Sequence, residues 1–140
     1  MYPDPHYPSD WFWRAVRWRY AQFTGRARRT EFWWYQCVWW ALYLVLIALD
    51  HLLGTFSGAY GGGHGLFSTV FALALLLPSV AVAVRRLHDT DKSAWWLLIG
   101  LVPVVGWIGL LIFYLQPGDV GANPFGPDPK HGVVDEGIAL

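Results

Sequence analysis

Charged residues are scarce in this sequence of 140 residues, where Asp, Glu, Lys and Arg together make up 14%, against about 25% in soluble domains. Hydrophobic residues make up 55%. Cysteine occurs once, as Cys37, so an intrachain disulfide is excluded. This balance indicates that lipid rather than water is the main solvent. At this length it also leaves little room for a separate soluble catalytic domain.

Three long stretches lack Asp, Glu, Lys and Arg altogether, over residues 32–49, 66–84 and 94–115. A helix of about 20 residues crosses the hydrocarbon core of roughly 30 Å. We therefore predict an all-α membrane protein with three transmembrane helices at about these positions. The absence of ionisable residues from the three cores argues against a pump or a selective channel formed by a single chain.

Basic and aromatic residues alternate before the first of these stretches, in SDWFWRAVRWRYAQF (residues 9–23). At about 100° per residue the larger apolar side chains fall on one face, with arginines on the flanks. This pattern predicts an N-terminal amphipathic interfacial helix, lying in the headgroup layer. The alternative is that the helix packs on the other helices. We predict disorder for residues 1–8, a helical membrane domain over 24–130 and a flexible tail over 131–140.

Lysine and arginine are distributed unevenly around the predicted spans. Six arginines precede the first span, none lies in the glycine-rich connection to the second, and three basic residues, Arg85, Arg86 and Lys92, lie between the second and third. Only Lys130 follows the third. By the positive-inside rule, this predicts a cytoplasmic N-terminus, with the glycine-rich connection and the C-terminus outside.

Two polar segments are predicted at the cytoplasmic face: GRARRTE (residues 25–31) and RRLHDTDKS (residues 85–93). One interpretation is structural, because Asp89, Thr90, Asp91 or Ser93 can cap the helix that follows. The other is a site for an anionic lipid headgroup or a small ligand, since basic clusters at this face attract anionic lipid. The candidate residues for such a site are Arg26, Arg28, Arg29, Glu31, Arg85, Arg86, His88 and Asp89.

No catalytic constellation, metal motif or cofactor motif emerges from the sequence. His88 and Asp89 are adjacent, so their side chains on a helix point about 100° apart, whereas a catalytic pair must converge. The histidine spacing matches no common metal motif. Nucleic acid is also not expected, because arginine and aromatic residues beside a membrane helix suit lipid better.

Four motifs in a fixed order carry a family resemblance. They are GRARRTEFWW before the first span, RRLHDTDKSAWW after the second, LVPVVGW inside the third and GANPFGPDPK after it. Across about residues 24–130 the chain resembles the YhaH-like family of small bacterial inner-membrane proteins, a domain of unknown function. The resemblance implies a multi-span helical fold and no established activity. It also marks Gly25, Trp33, Ser93, Trp95, Asn123, Phe125 and Gly126 as structural motif residues.

These observations lead to a hypothesis with two alternatives. The leading hypothesis is a non-enzymatic inner-membrane protein whose cytoplasmic Arg, His and Asp cluster contacts anionic lipid or a partner protein. One alternative is a small transporter or channel subunit, which would act as a homo-oligomer. The other is an enzyme acting on a lipid phosphate. The predicted topology separates the GANPFGPDPK motif from the two polar segments, so a meeting of all three in space would refute it.

Overall fold

The computed structural model describes residues 8–57 and 64–130, which are mostly helical. The elements in chain order are α1 (Pro8–Arg17), α2 (Arg29–Leu52), β1 (Phe56–Ser57), β2 (His64–Gly65), α3 (Leu66–Ala74), α4 (Leu76–His88), a 3-10 helix (Ala94–Leu101) and α5 (Val105–Leu115). Of residues 1–8, which were predicted to be disordered, Pro8 is the first residue of α1 and the others lie outside the described residues. The central glycine-rich residues 58–63 and the predicted flexible tail 131–140 also lie outside the described residues. The all-α prediction is confirmed, apart from one antiparallel pair of two-residue strands.

The chain divides into two compact units, and both α2 and α4 contribute to each. One unit contains Met1–Tyr20 and Trp34–Ser79, and the other contains Ala21–Trp33 and Val80–Leu140. In the first unit α1 packs on α2, because the ring of Phe12 stacks on Tyr35 with centroids 5.3 Å apart. Phe12 is buried but its neighbour Trp13 is exposed, so the larger apolar side chains do not all share one buried face as predicted. The helix ends at Arg17 and so covers only part of the predicted 9–23.

Within residues 8–57 and 64–130, one helix, α2, is long and apolar enough to cross a membrane by itself, and α3 and α4 reach that length only as a pair bent by 45°. With 24 residues, α2 is about 36 Å long. Pro78 lies just after the bend and cannot donate to the carbonyl of Ala74. The hydroxyl of Tyr20 donates to that carbonyl instead. Ser79 supports the next carbonyl, since its hydroxyl donates to Leu75 at 2.7 Å.

Asp50, in the last turn of α2, organises the start of α3 in the first unit. The residue is fully buried. Its carboxylate oxygens accept the backbone N–H groups of Phe67 and Ser68, each at 2.9 Å, and thus cap the start of α3. Thr55 Oγ1 donates to the same carboxylate at 2.6 Å. Gly65 is required beside it, because a Cβ there would lie 2.0 Å from Asp50 Oδ2.

Residues 94–115 do not form one helix, so the predicted third transmembrane helix is not confirmed. A 3-10 helix, Ala94–Leu101, is followed by a break and then by α5, Val105–Leu115. Pro103 explains the break, because it lacks an N–H group and disfavours helical backbone at the residue before it. Val104 then adopts a φ of 64°, an uncommon conformation for a β-branched residue.

The two arms on either side of this break lie antiparallel. Near the break, Gly106 lies against the carbonyl of Ile99, and a Cβ at Gly106 would come within 1.7 Å of that oxygen. At the other end, Lys92 Nζ donates to Gln116 Oε1 at 3.1 Å. Eight 3-10 residues and eleven α-helical residues each span about 16 Å. The chain therefore leaves and re-enters the same end of its unit through a short helical hairpin.

Candidate functional site

The last turn of α4 and the segment before α2 bring buried polar residues together in the second unit. We call this set the polar cluster: Arg26, Glu31, Arg85, Arg86, His88 and Asp89. The two segments are joined along the backbone, since the N–H of Ala27 donates to the carbonyl of Arg85 at 2.9 Å. All six members of the cluster are buried, although most of them are formally charged. Their charges must therefore be satisfied within the protein.

Asp89 lies between two arginines and pairs with both. Arg26 Nε donates to Asp89 Oδ1 at 3.0 Å, and Arg86 Nη1 donates to Oδ2. The three side chains are at most 3% exposed. Each carboxylate oxygen of Asp89 thus has its own charged donor.

The remaining donors of Arg26 bind the backbone of the segment that follows α5. Nη1 donates to the carbonyl of Gly121 at 2.6 Å, and Nη2 donates to that of Asp119 at 2.5 Å. The N–H of Asp119 in turn donates to the carbonyl of Asp89 at 2.8 Å. Gly118 makes this approach feasible, because a Cβ there would lie 2.1 Å from Asp89 Oδ2.

Two arginines cap the C-terminal end of α5, where helix carbonyls lack intrahelical partners. Arg86 Nε donates to the carbonyl of Tyr114 at 3.2 Å, and its Nη2 donates to that of Gln116. Arg29 Nη1 contacts the carbonyl of Leu115 at 3.4 Å. Cations are also favoured here by the negative end of the helix dipole. The α5 arm of the hairpin is therefore held by Arg86 of the polar cluster and by Arg29.

Arg85 pairs with Glu31, which lies in the first turn of α2. Arg85 Nη1 donates to Glu31 Oε1 at 2.5 Å, and both side chains are almost completely buried. The other two guanidinium nitrogens of Arg85, Nε and Nη2, are buried and have no hydrogen-bond partner in the part of the chain that the structure describes. Arg85 is thus the member of the cluster that keeps donors without an acceptor among these residues.

His88 connects the polar cluster to the GANPFGPDPK motif (residues 121–130), which we call the tail motif. Its ring stacks on Phe125 with centroids 4.0 Å apart and planes 5° apart. Its carbonyl accepts Asn123 Nδ2 at 2.8 Å, and its Nδ1 contacts the carbonyl of Gly25 at 3.2 Å. Asn123 and Gly126 exchange two backbone hydrogen bonds at 3.0 Å, so Phe125 is presented at the tip of a tight turn.

The meeting of the tail motif with both polar segments contradicts the predicted separation of these motifs. The physical reason is the break at Pro103, which reverses the direction of the chain. Arg28 adds to the tail contacts, since its Nη2 donates to the carbonyl of Pro129. Seven of the eight candidate residues thus form hydrogen bonds or ion pairs within the protein. The eighth, Arg29, is exposed and makes only a contact of 3.4 Å.

The other residues marked by the family resemblance differ in burial and in contacts. Trp33 is half-buried and meets Phe32 edge-on, whereas Trp95 is 78% exposed. Ser93 precedes the 3-10 helix but its side chain makes no capping hydrogen bond. Asp89, another expected cap, is taken by the two arginines instead. Gly25 has a φ of 87°, which favours glycine.

Several residues of the site could not be predicted from the sequence, because they contribute backbone carbonyls rather than side chains. The carbonyls of Tyr114, Gln116, Asp119 and Gly121 accept arginine donors, and nothing in a side chain signals such a role. Asp128 was missed as a side chain, and its buried carboxylate accepts the N–H groups of Gly121 and Lys130. A Pro- and Gly-rich segment with one acid signals a turn but not its docking partner.

His88 lies beyond the apolar stretch that ends at Val84, and burial lowers its pKa below the ordinary value of 6.5, although the contact with Gly25 opposes this shift. Neutral imidazole suits the parallel stacking on Phe125. Among residues 8–57 and 64–130, no group of three or more His, Cys, Asp or Glu side chains is placed to hold a metal ion.

The helices, the short hairpin and the internally paired cluster define a small helical membrane protein with a polar end in its second unit. A family model described as "Protein of unknown function (DUF805)" matches residues 20–127. The chain belongs to this family, which confirms the YhaH-like resemblance.

Two proteins of Escherichia coli K12 show the relationship along nearly their whole length. The chain is 44% identical to Inner membrane protein YhaH over 121 residues, or 86% of this chain and 97% of that protein. It is 37% identical to Inner membrane protein YhaI over 123 residues, or 88% and 98%. No solved structure matches the chain.

Proposed function

We propose that the chain is a non-enzymatic integral protein of the bacterial inner membrane whose polar end contacts anionic lipid headgroups or a partner protein through exposed arginines. The difference in burial among the arginines carries this proposal. Arg26, Arg85 and Arg86 are buried within the cluster, whereas Arg29 is exposed. The names of the relatives YhaH and YhaI support the inner-membrane location.

The proposed topology has two spans, α2 and the apolar part of the bent pair of α3 and α4 over residues 66–84. They are followed by a hairpin that enters one leaflet and returns to the same side. Each arm of the hairpin is about 16 Å long, roughly half of the hydrocarbon core. With two spans, all ten Lys and Arg residues fall on one side and the connection between the spans has none. This asymmetry supports a cytoplasmic location for both the N-terminus and the tail motif.

A C-terminal reporter tests the topology. Green fluorescent protein fused after Leu140 is expected to fluoresce, since it folds in the cytoplasm. Alkaline phosphatase at the same position is expected to be inactive. An active phosphatase fusion would restore the three-span arrangement and contradict the proposal.

Arg29 is the residue with which to test lipid contact, because its change does not break the buried pairs. Native mass spectrometry in detergent measures how well phosphatidylglycerol is retained. Arg29→Gln should weaken retention by about fivefold, since one basic residue near an anionic surface contributes about 1 kcal/mol. Arg29→Lys is the matched control and should retain the lipid.

Equal retention by wild type and Arg29→Gln would remove the lipid form of the proposal. Crosslinking in native membranes then tests the partner form, through loss of a crosslinked product in the same variant. If neither measurement changes, contact through Arg29 is refuted in both forms.

A second candidate, an oligomeric transporter or channel subunit, is favoured by one observation. The hairpin tip, residues 101–105, is exposed and partly non-helical. Irregular backbone at membrane depth is tolerated where protein or a water-filled cavity covers it. A second copy could supply that cover. Single-molecule photobleaching in lipid nanodiscs tests this, and a strictly monomeric chain would count against it.

The remaining alternative, an enzyme acting on a lipid phosphate, would need convergent polar side chains. His88 stacks on Phe125 while Asp89 pairs with Arg26 and Arg86. The two adjacent residues therefore serve different contacts, and the arrangement favours a structural role for both.

A further inference from the structure

Arg85 carries an unused binding edge in the interior of the protein. Its side chain is 1% exposed, and its Nη1 is taken by Glu31. Nε and Nη2 have no hydrogen-bond partner among residues 8–57 and 64–130. In a guanidinium group the N–H of Nε and one N–H of Nη2 are parallel, and arginine binds the two oxygens of a carboxylate or phosphate through such a pair of donors.

Leaving this edge unpaired is costly. A buried donor without a partner loses its hydration and gains nothing in return, and the loss is larger for a charged group than for a neutral one. Buried polar groups in native proteins are therefore nearly always paired with protein, water or an ion. Arg85 differs in this respect from the neighbouring Arg26 and Arg86, whose guanidinium groups donate to carboxylate and carbonyl oxygens.

The local charge favours an anion over water as the missing partner. Residues 25–31, residues 85–89 and the tail motif contain six basic side chains and three acidic ones. The basic residues are Arg26, Arg28, Arg29, Arg85, Arg86 and Lys130, and the acidic ones are Glu31, Asp89 and Asp128. An anion at Arg85 would reduce this excess and supply both missing acceptors.

We propose that the Nε and Nη2 edge of Arg85 binds a phosphate group through two parallel hydrogen bonds. At the polar end of a membrane protein such a group has two sources, the headgroup of an anionic phospholipid or free phosphate. This site is separate from the surface contact proposed for Arg29, because it uses a buried residue and directed bonds rather than general attraction.

The tail motif is bound close to Arg85. The N–H of Ala27 donates to the carbonyl of Arg85. The residues on either side of Ala27 bind the tail motif, since Arg26 donates to the carbonyl of Gly121 and Arg28 donates to that of Pro129. The tail motif is also held by the hydrogen bond from Asn123 to the carbonyl of His88 and by the stack of Phe125 on His88. Because the side chain of Arg85 is 1% exposed, access of a phosphate group requires local opening of the protein.

The test compares wild type with Arg85→Lys after delipidation in detergent. Lysine keeps a cation for Glu31 but has no pair of parallel donors. Native mass spectrometry measures binding of two probes, phosphatidylglycerol and inorganic phosphate. We expect the wild type to bind at least one of them and Arg85→Lys to bind that probe at least about tenfold more weakly, as loss of a charge-assisted hydrogen bond predicts.

The probes distinguish the sources. Binding of inorganic phosphate alone assigns a free phosphate, and binding of phosphatidylglycerol alone assigns the lipid headgroup. Equal binding by wild type and Arg85→Lys overturns the site. Arg29→Gln is the control for general attraction, and a loss there with none at Arg85 would uphold the surface contact while refuting this inference.

A measurement on the wild type alone covers the case in which Arg85→Lys does not fold. Phosphate or phosphatidylglycerol should raise its melting temperature relative to chloride at equal ionic strength or to phosphatidylcholine. The absence of stabilisation by both probes would overturn the proposal.

Discussion

Asp89→Asn should destabilise the protein strongly, because one carboxylate neutralises two buried arginines. Its two oxygens accept Arg26 Nε at 3.0 Å and Arg86 Nη1, and no side chain of the three is more than 3% exposed. Removing one partner of a buried ion pair costs about 3–5 kcal/mol. Asparagine is nearly isosteric, so the expected loss reflects charge and hydrogen bonding rather than a cavity.

The assay for Asp89→Asn is the temperature at which half of the protein leaves the monodisperse peak in detergent, followed by size-exclusion chromatography. A loss of about 3 kcal/mol corresponds to a decrease of roughly 10 °C for a chain of this size. Asp91→Asn is the matched control, since Asp91 is exposed and has a φ of 53° that asparagine also tolerates. A decrease under 2 °C for Asp89→Asn, or an equal decrease for both variants, would refute the reasoning about Asp89.

Three further predictions concern packing and pH. Gly118→Ala should lower the melting temperature, because the new Cβ would lie 2.1 Å from Asp89 Oδ2 and force the segment after α5 away. Gly65→Ala should do the same in the first unit, where its Cβ would lie 2.0 Å from Asp50 Oδ2 and disturb the cap of α3. Thermal stability should also fall on acidification through pH 6.5, because burial lowers the pKa of His88 and the unfolded chain binds the proton more readily.

Each of these predictions has a control. Gly109→Ala should be tolerated, since its Cβ would meet Ile99 at an ordinary 3.6 Å, and equal losses at all three glycines would argue against the steric explanation. For the pH effect, His88→Asn keeps a donor for the carbonyl of Gly25 but does not titrate. Its stability should depend less on pH between 8 and 5 than that of the wild type, and an unchanged dependence would exclude His88 as the cause.

The local sequence pattern was sufficient to predict the helices whose formation does not depend on particular packing partners. The run from Phe32 to Leu49 is apolar on all sides, so it forms a long helix in any environment that excludes water. The amphipathic pattern of residues 9–23 likewise marked α1, although the helix stops at Arg17. The family motifs also identified the right neighbourhood for the polar cluster, because charged residues at helix ends are visible as clusters in the sequence.

Composition could not show that residues 94–115 turn back on themselves. Pro103 is compatible with either a kinked span or a break, and the choice depends on contacts between residues far apart in the chain. Gly106 against Ile99, and Lys92 with Gln116, decide it in favour of the hairpin. That choice places the tail motif on the polar cluster and changes the predicted topology.

The sequence by itself determined that this is a helical membrane protein with most of its polar residues in three motifs. Hydrophobicity and charge act locally, and they are written in residue type. Only the tertiary structure decided that the three motifs meet, because that result depends on backbone carbonyls and on a break between two short helices. It also decided which arginine remains available, since Arg26, Arg85 and Arg86 are alike in the sequence and differ only in the acceptors that surround them.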